Sequence, residues 1–169
     1  MACQQQPATQ ATSSTAEVGT KMLALINDRK YDDAITMGLQ AITGQPRDAI
    51  IYRWIAIAYT GHASNDAAHS KKWLESAANY ADKSIDAAPA DELNRHSIAH
   101  IWEWMGDFDP EKRCGDYAKS MSILKETSEH LRSDTFQIGD KTAPAAPLKK
   151  DIESNISKLA TKETNAKCN

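Results

Sequence analysis

Residues 31–46 read YDDAITMGLQAITGQP, and their pattern recurs along the 169-residue chain. The small and apolar residues of this stretch stand at helical spacing: Ala34, Ile35, Ala41 and Ile42. Such spacing places them on one stripe of a helix, which is buried against a neighbour. Gly44 favours the left-handed turn that ends a helix, and Pro46 prevents the helix from continuing. The stretch therefore predicts an amphipathic helix that ends before Pro46.

The composition of the chain favours helix over sheet. Alanine is abundant, glycine numbers only 7, and runs of Thr, Val and Phe are rare. The length is sufficient for one domain with a sizeable core. The net charge of -3 gives no basic surface for nucleic acid, and no apolar run approaches the ~18 residues of a membrane-spanning helix. We therefore expect one all-α domain without a nucleic-acid partner.

Helix start and stop signals divide the chain into seven predicted helices. Apart from the helix that begins at Tyr31, a capping side chain or a proline marks each start, at Ser14, Asp48, Asp66, Asp91, Pro110 and Pro147. Gly61 is predicted to end the third helix, and residues 132–146 are predicted to be a long loop. The seventh helix has a narrow apolar face in a polar sequence, formed by Leu148, Ile152, Ile156 and Leu159. That pattern is typical of a cap at the end of a helical stack.

The stretch 31–46 resembles the second helix of a tetratricopeptide repeat, in which Tyr, Ala, Ala and Pro recur at these intervals. A second set resembles the Sel-like repeat pattern D-x3-A-x2-W-x3-A-A, with Ser in place of the first Ala: Asp66, Ser70, Trp73, Ala77 and Ala78. The resemblance implies a right-handed stack of antiparallel helix pairs, about three tetratricopeptide-like hairpins, plus a C-terminal capping helix. Asp48 and Asp91 are about 43 residues apart, a solenoid-like period that is longer than the usual ~34 residues.

The same resemblance implies a non-enzymatic scaffold that binds another protein or peptide. The first helices of the pairs would line a concave groove, and the residues off their core stripes would face it: Arg53, Trp54, Ile57, Thr60, His96, His100, Glu103 and Trp104. Tryptophan and arginine are common anchors of interfaces. The alternative for Trp54 and Trp104 is packing between adjacent helices, because tryptophan is usually largely buried.

The sequence contains no convincing catalytic constellation. His96 and His100 stand one helical turn apart and could share a metal, but a zinc site needs further ligands, and no Glu follows His96 as in the zincin motif. Cys114 could pair with a histidine as a nucleophile, but nothing in the sequence orients such a pair. We therefore predict neither a cofactor nor a resident metal. The alternative function is a helical protein that binds a metal or small ligand through His96 and His100.

Residues 1–13 lack an apolar period and are predicted to be a disordered N-terminal tether, followed by the helical domain at 14–163 and a tail at 164–169. Cys3 follows Ala2 as at the end of a lipoprotein signal, which would make Cys3 a lipidation site and the only route to a membrane. In that case the protein lies in the bacterial envelope or periplasm, and otherwise in the cytoplasm.

Lipidation of Cys3 would leave two cysteines, Cys114 and Cys168, as a disulfide candidate in an oxidising compartment. A last helix of about 14 residues spans ~20 Å and could run back along the sixth helix, which returns the tail toward Cys114. The alternative is two unrelated free thiols in a cytosolic protein.

Overall fold

A computed structural model describes residues 14–66, 68–131, 133–138 and 141–168. Its elements are α1 (Thr15–Asn27), α2 (Tyr31–Gly44), α3 (Ala49–Asn65), α4 (Ser70–Ala87), α5 (Glu92–Phe108), α6 (Arg113–His130), β1 (Thr135–Ile138), β2 (Lys141–Pro144) and α7 (Ala145–Asn165). Helices dominate the described residues and pack consecutively, most extensively α3 on α4 and α5 on α6. The prediction of an all-α helical stack is thus confirmed. The predicted tether at 1–13 and the lipidation candidate Cys3 lie outside the described residues.

Polar caps start several helices where the sequence predicts them. The Ser14 hydroxyl accepts a hydrogen bond from the Glu17 amide at 3.3 Å. The Asp48 carboxylate accepts from the amides of Ile50 and Ile51, and Asp91 accepts from the Asn94 amide at 2.8 Å. These bonds satisfy amides that have no partner within a first helical turn.

Other predicted boundaries are wrong by a few residues. The fourth helix begins at Ser70 because the Asp66 carboxylate accepts from the His69 amide in a turn before the helix. The sixth begins at Arg113, after a turn in which Asp109 accepts from the amides of Glu111 and Lys112. The last helix runs from Ala145 to Asn165, and so passes both its predicted start at Pro147 and the predicted boundary at 163.

The predicted loop at 132–146 contains a β-hairpin. β1 and β2 pair antiparallel, with Phe136 opposite Ala143. The Phe136 side chain is buried and belongs to the largest core cluster, which extends from α3 to α7. Ala143 of β2 is partly buried against the same cluster, so both strands attach the hairpin to the stack. Strands of four residues are too short to give a periodic signal in the sequence.

Small residues bring α2 and α3 together, as the stretch 31–46 predicts. Ala34 is fully buried, and a Cβ atom added to Gly38 would lie 2.5 Å from Ile55 Cγ1 and 2.7 Å from Met22 Cε. Gly61 was predicted to end α3, but it lies inside this helix, where the ring of Tyr31 covers it. Gly38 and Gly61 therefore serve close approach between helices.

Gly38→Ala should destabilise the fold by about 1–3 kcal/mol, because Ile55 and Met22 are fully buried and have little room to move. The matched control is Gly115→Ala in α6, where an added Cβ meets nothing within 4 Å. The control should stabilise by roughly 0.5–1 kcal/mol, through helix propensity alone. Urea unfolding measures both values. An equal gain in the two variants would show that α2 and α3 are not in contact at Gly38.

The seventh helix caps the stack. Leu148, Ile152 and Leu159 are buried, and they belong to the same core cluster as Met121 and Leu124 of α6. The remaining predicted member of this face, Ile156, is partly buried against that cluster. The apolar face of α7 was thus predicted correctly.

Candidate functional site

A surface cavity of about 490 Å³ lies between α3 and α5. It is lined by Ile57, Ser97, His100, Ile101, Glu103, Trp104 and Asp107. Four of the eight residues that were predicted to line a groove are among them, namely Ile57, His100, Glu103 and Trp104. We call this surface the α3–α5 groove.

Exposed aromatic surface continues from the groove along α5. Trp104 is 43% exposed and Phe108 is 37% exposed, and their ring centroids are 6.1 Å apart. Large apolar side chains are few on the described surface; the other two of this exposure are Leu23 on α1 and Ile50 on α3. The aromatic pair is thus a local concentration of apolar surface beside a cavity.

Four predicted groove residues lie elsewhere. Thr60 is fully buried and its hydroxyl donates to the Ala56 carbonyl at 2.9 Å, so its assignment to the groove was wrong. The alternative of packing between helices describes Trp54, whose ring lies beside Gly19 of α1 and packs against the core cluster of Met22, Ile51 and Ile55.

Arg53 belongs to the contact between α3 and α5. Its guanidinium lies 5.8 Å from the centre of the Trp54 ring, and Nη1 donates to the Asn94 side chain at 3.5 Å. Burial lowers the pKa of Arg53, and the nearby charge of Asp91 opposes this effect. Arg53 therefore joins α3 to α5 and is not among the residues that line the cavity.

His96, the last predicted groove residue, faces α7. Its largely buried ring packs edge-on against His100, with ring centroids 4.7 Å apart. Asp151 Oδ2 lies 3.2 Å from His96 Nε2. Asn155 Nδ2 lies 3.2 Å from His96 Nε2 and 3.1 Å from His100 Nε2. Burial lowers the pKa of His96, as does the neighbouring His100, while Asp151 acts in the opposite direction. His96 is therefore neutral near pH 7.

A second set of charges extends this polar contact between α5 and α7. Lys162 Nζ lies 2.8 Å from Glu103 Oε1 and 2.7 Å from Asp107 Oδ2. Asp107 Oδ1 also accepts a hydrogen bond of 2.6 Å from the Tyr117 hydroxyl. Burial alone would lower the pKa of Lys162, but the hydrogen bonds to Asp107 and Glu103 outweigh it and raise that pKa. Lys162 therefore remains charged and holds the two carboxylates at the edge of the groove.

Sequence reasoning missed the contribution of α7 to this region. Asp151, Asn155 and Lys162 stand four and seven residues apart and so lie on one side of the helix. They were interpreted as part of the polar sequence that flanks the narrow apolar face of a capping helix. Their spacing matches that of His96, His100, Glu103 and Asp107 on α5, and this match was the available signal.

The structure brings the two predicted disulfide partners together. Cys114 in the first turn of α6 and Cys168 after α7 are bonded, with their Cα atoms 5.4 Å apart. The last helix, α7, runs back along α6, so that the residues after α7 lie beside the first turn of α6. This path of the chain is the one that the sequence predicts.

Comparison with known proteins adds no family. No protein-family model matches the chain, and no curated protein matches it. Among the described residues, no helix combines the length and the apolar character that are needed to cross a bilayer.

Proposed function

We propose that this protein is a non-enzymatic interaction module that binds a segment of another protein in the α3–α5 groove. The observation that carries the proposal is the cavity of about 490 Å³ with Ile57, Ile101 and the half-exposed Trp104 in its walls. Tryptophan is among the residues in which interface hot spots are enriched, and hot spots cluster in pockets. The resemblance of residues 31–46 to a tetratricopeptide helix supports the same kind of function.

The charges at the edge of the groove favour a basic partner. Glu103 and Asp107 carry two negative charges, and Lys162 supplies one positive charge between them. A lysine or arginine of the partner would balance the remaining charge. We therefore expect a segment that inserts one large apolar side chain into the cavity and places a basic residue beside it.

The hydroxyl group in the cavity supports a binding role over a catalytic one. Ser97 Oγ donates to the carbonyl of Leu93 in its own helix at 2.8 Å. A nucleophilic serine instead needs a general base within hydrogen-bond reach. The Cys114 thiol is in a disulfide and is likewise not a nucleophile.

The compartment is part of the same proposal. A disulfide between Cys114 and Cys168 persists in the periplasm or outside the cell and is rare in the cytosol. Together with a lipid on Cys3, it favours an anchored protein of the bacterial envelope over a cytoplasmic one.

Selection from a library of random displayed peptides tests the groove. Peptides that bind the full chain should be enriched in a large apolar residue next to Lys or Arg. A synthetic peptide from this set should bind the Trp104→Ala variant at least about 30-fold more weakly than it binds the original chain, as for an interface hot spot. Fluorescence anisotropy of the labelled peptide gives both affinities.

Leu23→Ala is the matched control, because Leu23 is similarly exposed but lies on α1, outside the groove. This variant should keep the affinity of the original chain. Selected peptides that bind Trp104→Ala and the original chain equally well would place binding elsewhere and refute the proposal.

A further inference from the structure

We infer that His96, His100 and Asp151 form a binding site for a divalent transition-metal ion, Zn²⁺ in the first place, between α5 and α7. The nitrogen and oxygen atoms that these three residues offer all lie within 4.8 Å of one another. The inference does not depend on the proposed function, since it concerns the contact between α5 and α7 and not a partner in the groove.

The spacing of the three residues suits a shared ion. His96 and His100 are one turn apart on α5, so that both rings extend from the same side of the helix. Ligands of a tetrahedral zinc ion with bonds of 2.0–2.1 Å are about 3.3 Å apart. The widest separation in the cluster has to shorten by up to roughly 1.5 Å, from 4.8 Å, to reach that geometry. Asp151 is 58% exposed and can make this movement without disturbing the core.

Hydrogen bonds already direct lone pairs of both rings to one place. Asn155 Nδ2 can donate one hydrogen to His96 Nε2 and the other to His100 Nε2. Both Nε2 atoms are then unprotonated, as a metal requires. Asp151 Oδ2 lies 3.2 Å from His96 Nε2. With Nε2 unprotonated, the lone pairs of these two atoms repel each other unless a positive charge lies between them. A cation in this position would bind all three groups at once.

Glu103 supplies the support that metal-binding histidines usually have. Its Oε2 lies 3.4 Å from His100 Nδ1, and a negative charge at this distance favours the tautomer that carries its proton on Nδ1 and leaves Nε2 free. A carboxylate on the far nitrogen fixes the tautomer and strengthens the ligand. Lys162 holds the other oxygen of Glu103 at 2.8 Å, so the orientation of this carboxylate is itself set.

The donor set selects among metals. Imidazole nitrogens suit Zn²⁺ and its neighbours in the first transition row, whereas Mg²⁺ and Ca²⁺ take oxygen ligands. Two histidines and one carboxylate leave the fourth position of a tetrahedral zinc ion for water. The Asn155 amide, whose Nδ2 faces both rings in the absence of an ion, has to move aside or rotate so that its oxygen faces the ion. Because Asp151 is on α7 and the histidines are on α5, the bound ion would join the capping helix to the stack.

Calorimetric titration with ZnCl₂ tests the site on the untagged full chain after treatment with a chelator. All samples carry Cys3→Ser, so that no thiol outside the Cys114–Cys168 bond competes for the ion. We expect one Zn²⁺ per chain, no binding of Mg²⁺, and a visible absorption spectrum of tetrahedral Co²⁺ when cobalt replaces zinc. Loss of a group that supports a metal ligand without touching the ion typically weakens binding roughly 10–100-fold, and we expect Glu103→Gln to fall in that range. His100→Gln removes a ligand and should weaken zinc binding by more than this.

His69→Gln is the matched control, since His69 is also paired with an aspartate but lies outside the cluster. It should bind zinc as the unsubstituted chain does, and circular dichroism checks that every variant is folded. The inference is overturned if the unsubstituted chain binds no zinc, or if His100→Gln binds it equally well. A second variant, Asp151→Asn, separates this site from a two-histidine site on α5 alone, because it changes affinity only if α7 contributes a ligand.

Discussion

Replacing Cys114 with serine should lower the free energy of unfolding by about 4 kcal/mol, the largest effect that we expect from a single substitution. The bond joins residues 54 positions apart, and closing a loop of this length restricts the unfolded chain by about that amount in the chain-entropy model. Urea unfolding without reductant measures the loss. Because mesophilic domains are stable by only about 5–15 kcal/mol, the variant should be close to unfolding at 37 °C.

Three controls define this result. Cys168→Ser and the double variant should lose the same free energy as Cys114→Ser, since each removes the same bond. Reductant should destabilise the original chain and leave the three variants unchanged. If intact-mass measurement finds that the chain purified from an oxidising compartment carries both thiols free, the bond is absent in solution, and the proposed envelope location loses its main support.

Deleting the chain from Pro147 onward should have the second large effect. The deletion removes Leu148, Ile152 and Leu159 and exposes the apolar residues of α6 against which they pack. Truncating one such buried side chain to alanine typically costs 2–5 kcal/mol, so the loss of three exceeds what a marginally stable domain tolerates. We expect a loss of soluble protein and binding of a hydrophobic dye to what remains in solution.

The deletion also removes Cys168, so it is made in a chain with Cys114→Ser, and its reference is the full chain with Cys114→Ser. Both chains then lack the disulfide, and the difference between them reports the contribution of α7 itself, through its apolar packing and its ion pairs with α5. A deleted chain that remains monomeric, with the same urea midpoint as that reference, would mean that α7 is not a capping helix.

The sequence was sufficient for those parts of the fold that depend on local rules. Ala34, Ile35, Ala41 and Ile42 stand at helical spacing, which depends only on the nearby sequence. Asp48 and Asp91 cap α3 and α5 through amides of the next few residues, which is also a local interaction. Gly61 misled the same reasoning, because a glycine that ends a helix and one that admits a neighbouring ring look alike in the sequence. The difference between them is the position of Tyr31, which is a tertiary contact.

The candidate site was only partly predictable for a similar reason. Ile57, His100, Glu103 and Trp104 could be assigned to the groove because their side of the helix follows from the core stripe. Thr60 lies close to the edge of the core stripe of α3. Its hydroxyl donates to a carbonyl of its own helix, so burying this side chain costs little free energy. Asp151 and Lys162 of α7 reach α5 only because of the way in which α7 is oriented on the stack. The periodicity of the sequence within α7 does not reveal this orientation.

The bond between Cys114 and Cys168 also makes α6, the β-hairpin and α7 parts of one covalent ring. A protease that cuts the backbone once anywhere within this ring opens it but releases no fragment. The two pieces remain joined through sulfur and separate only after reduction. A single cut therefore does not release the part of the chain that carries the capping helix.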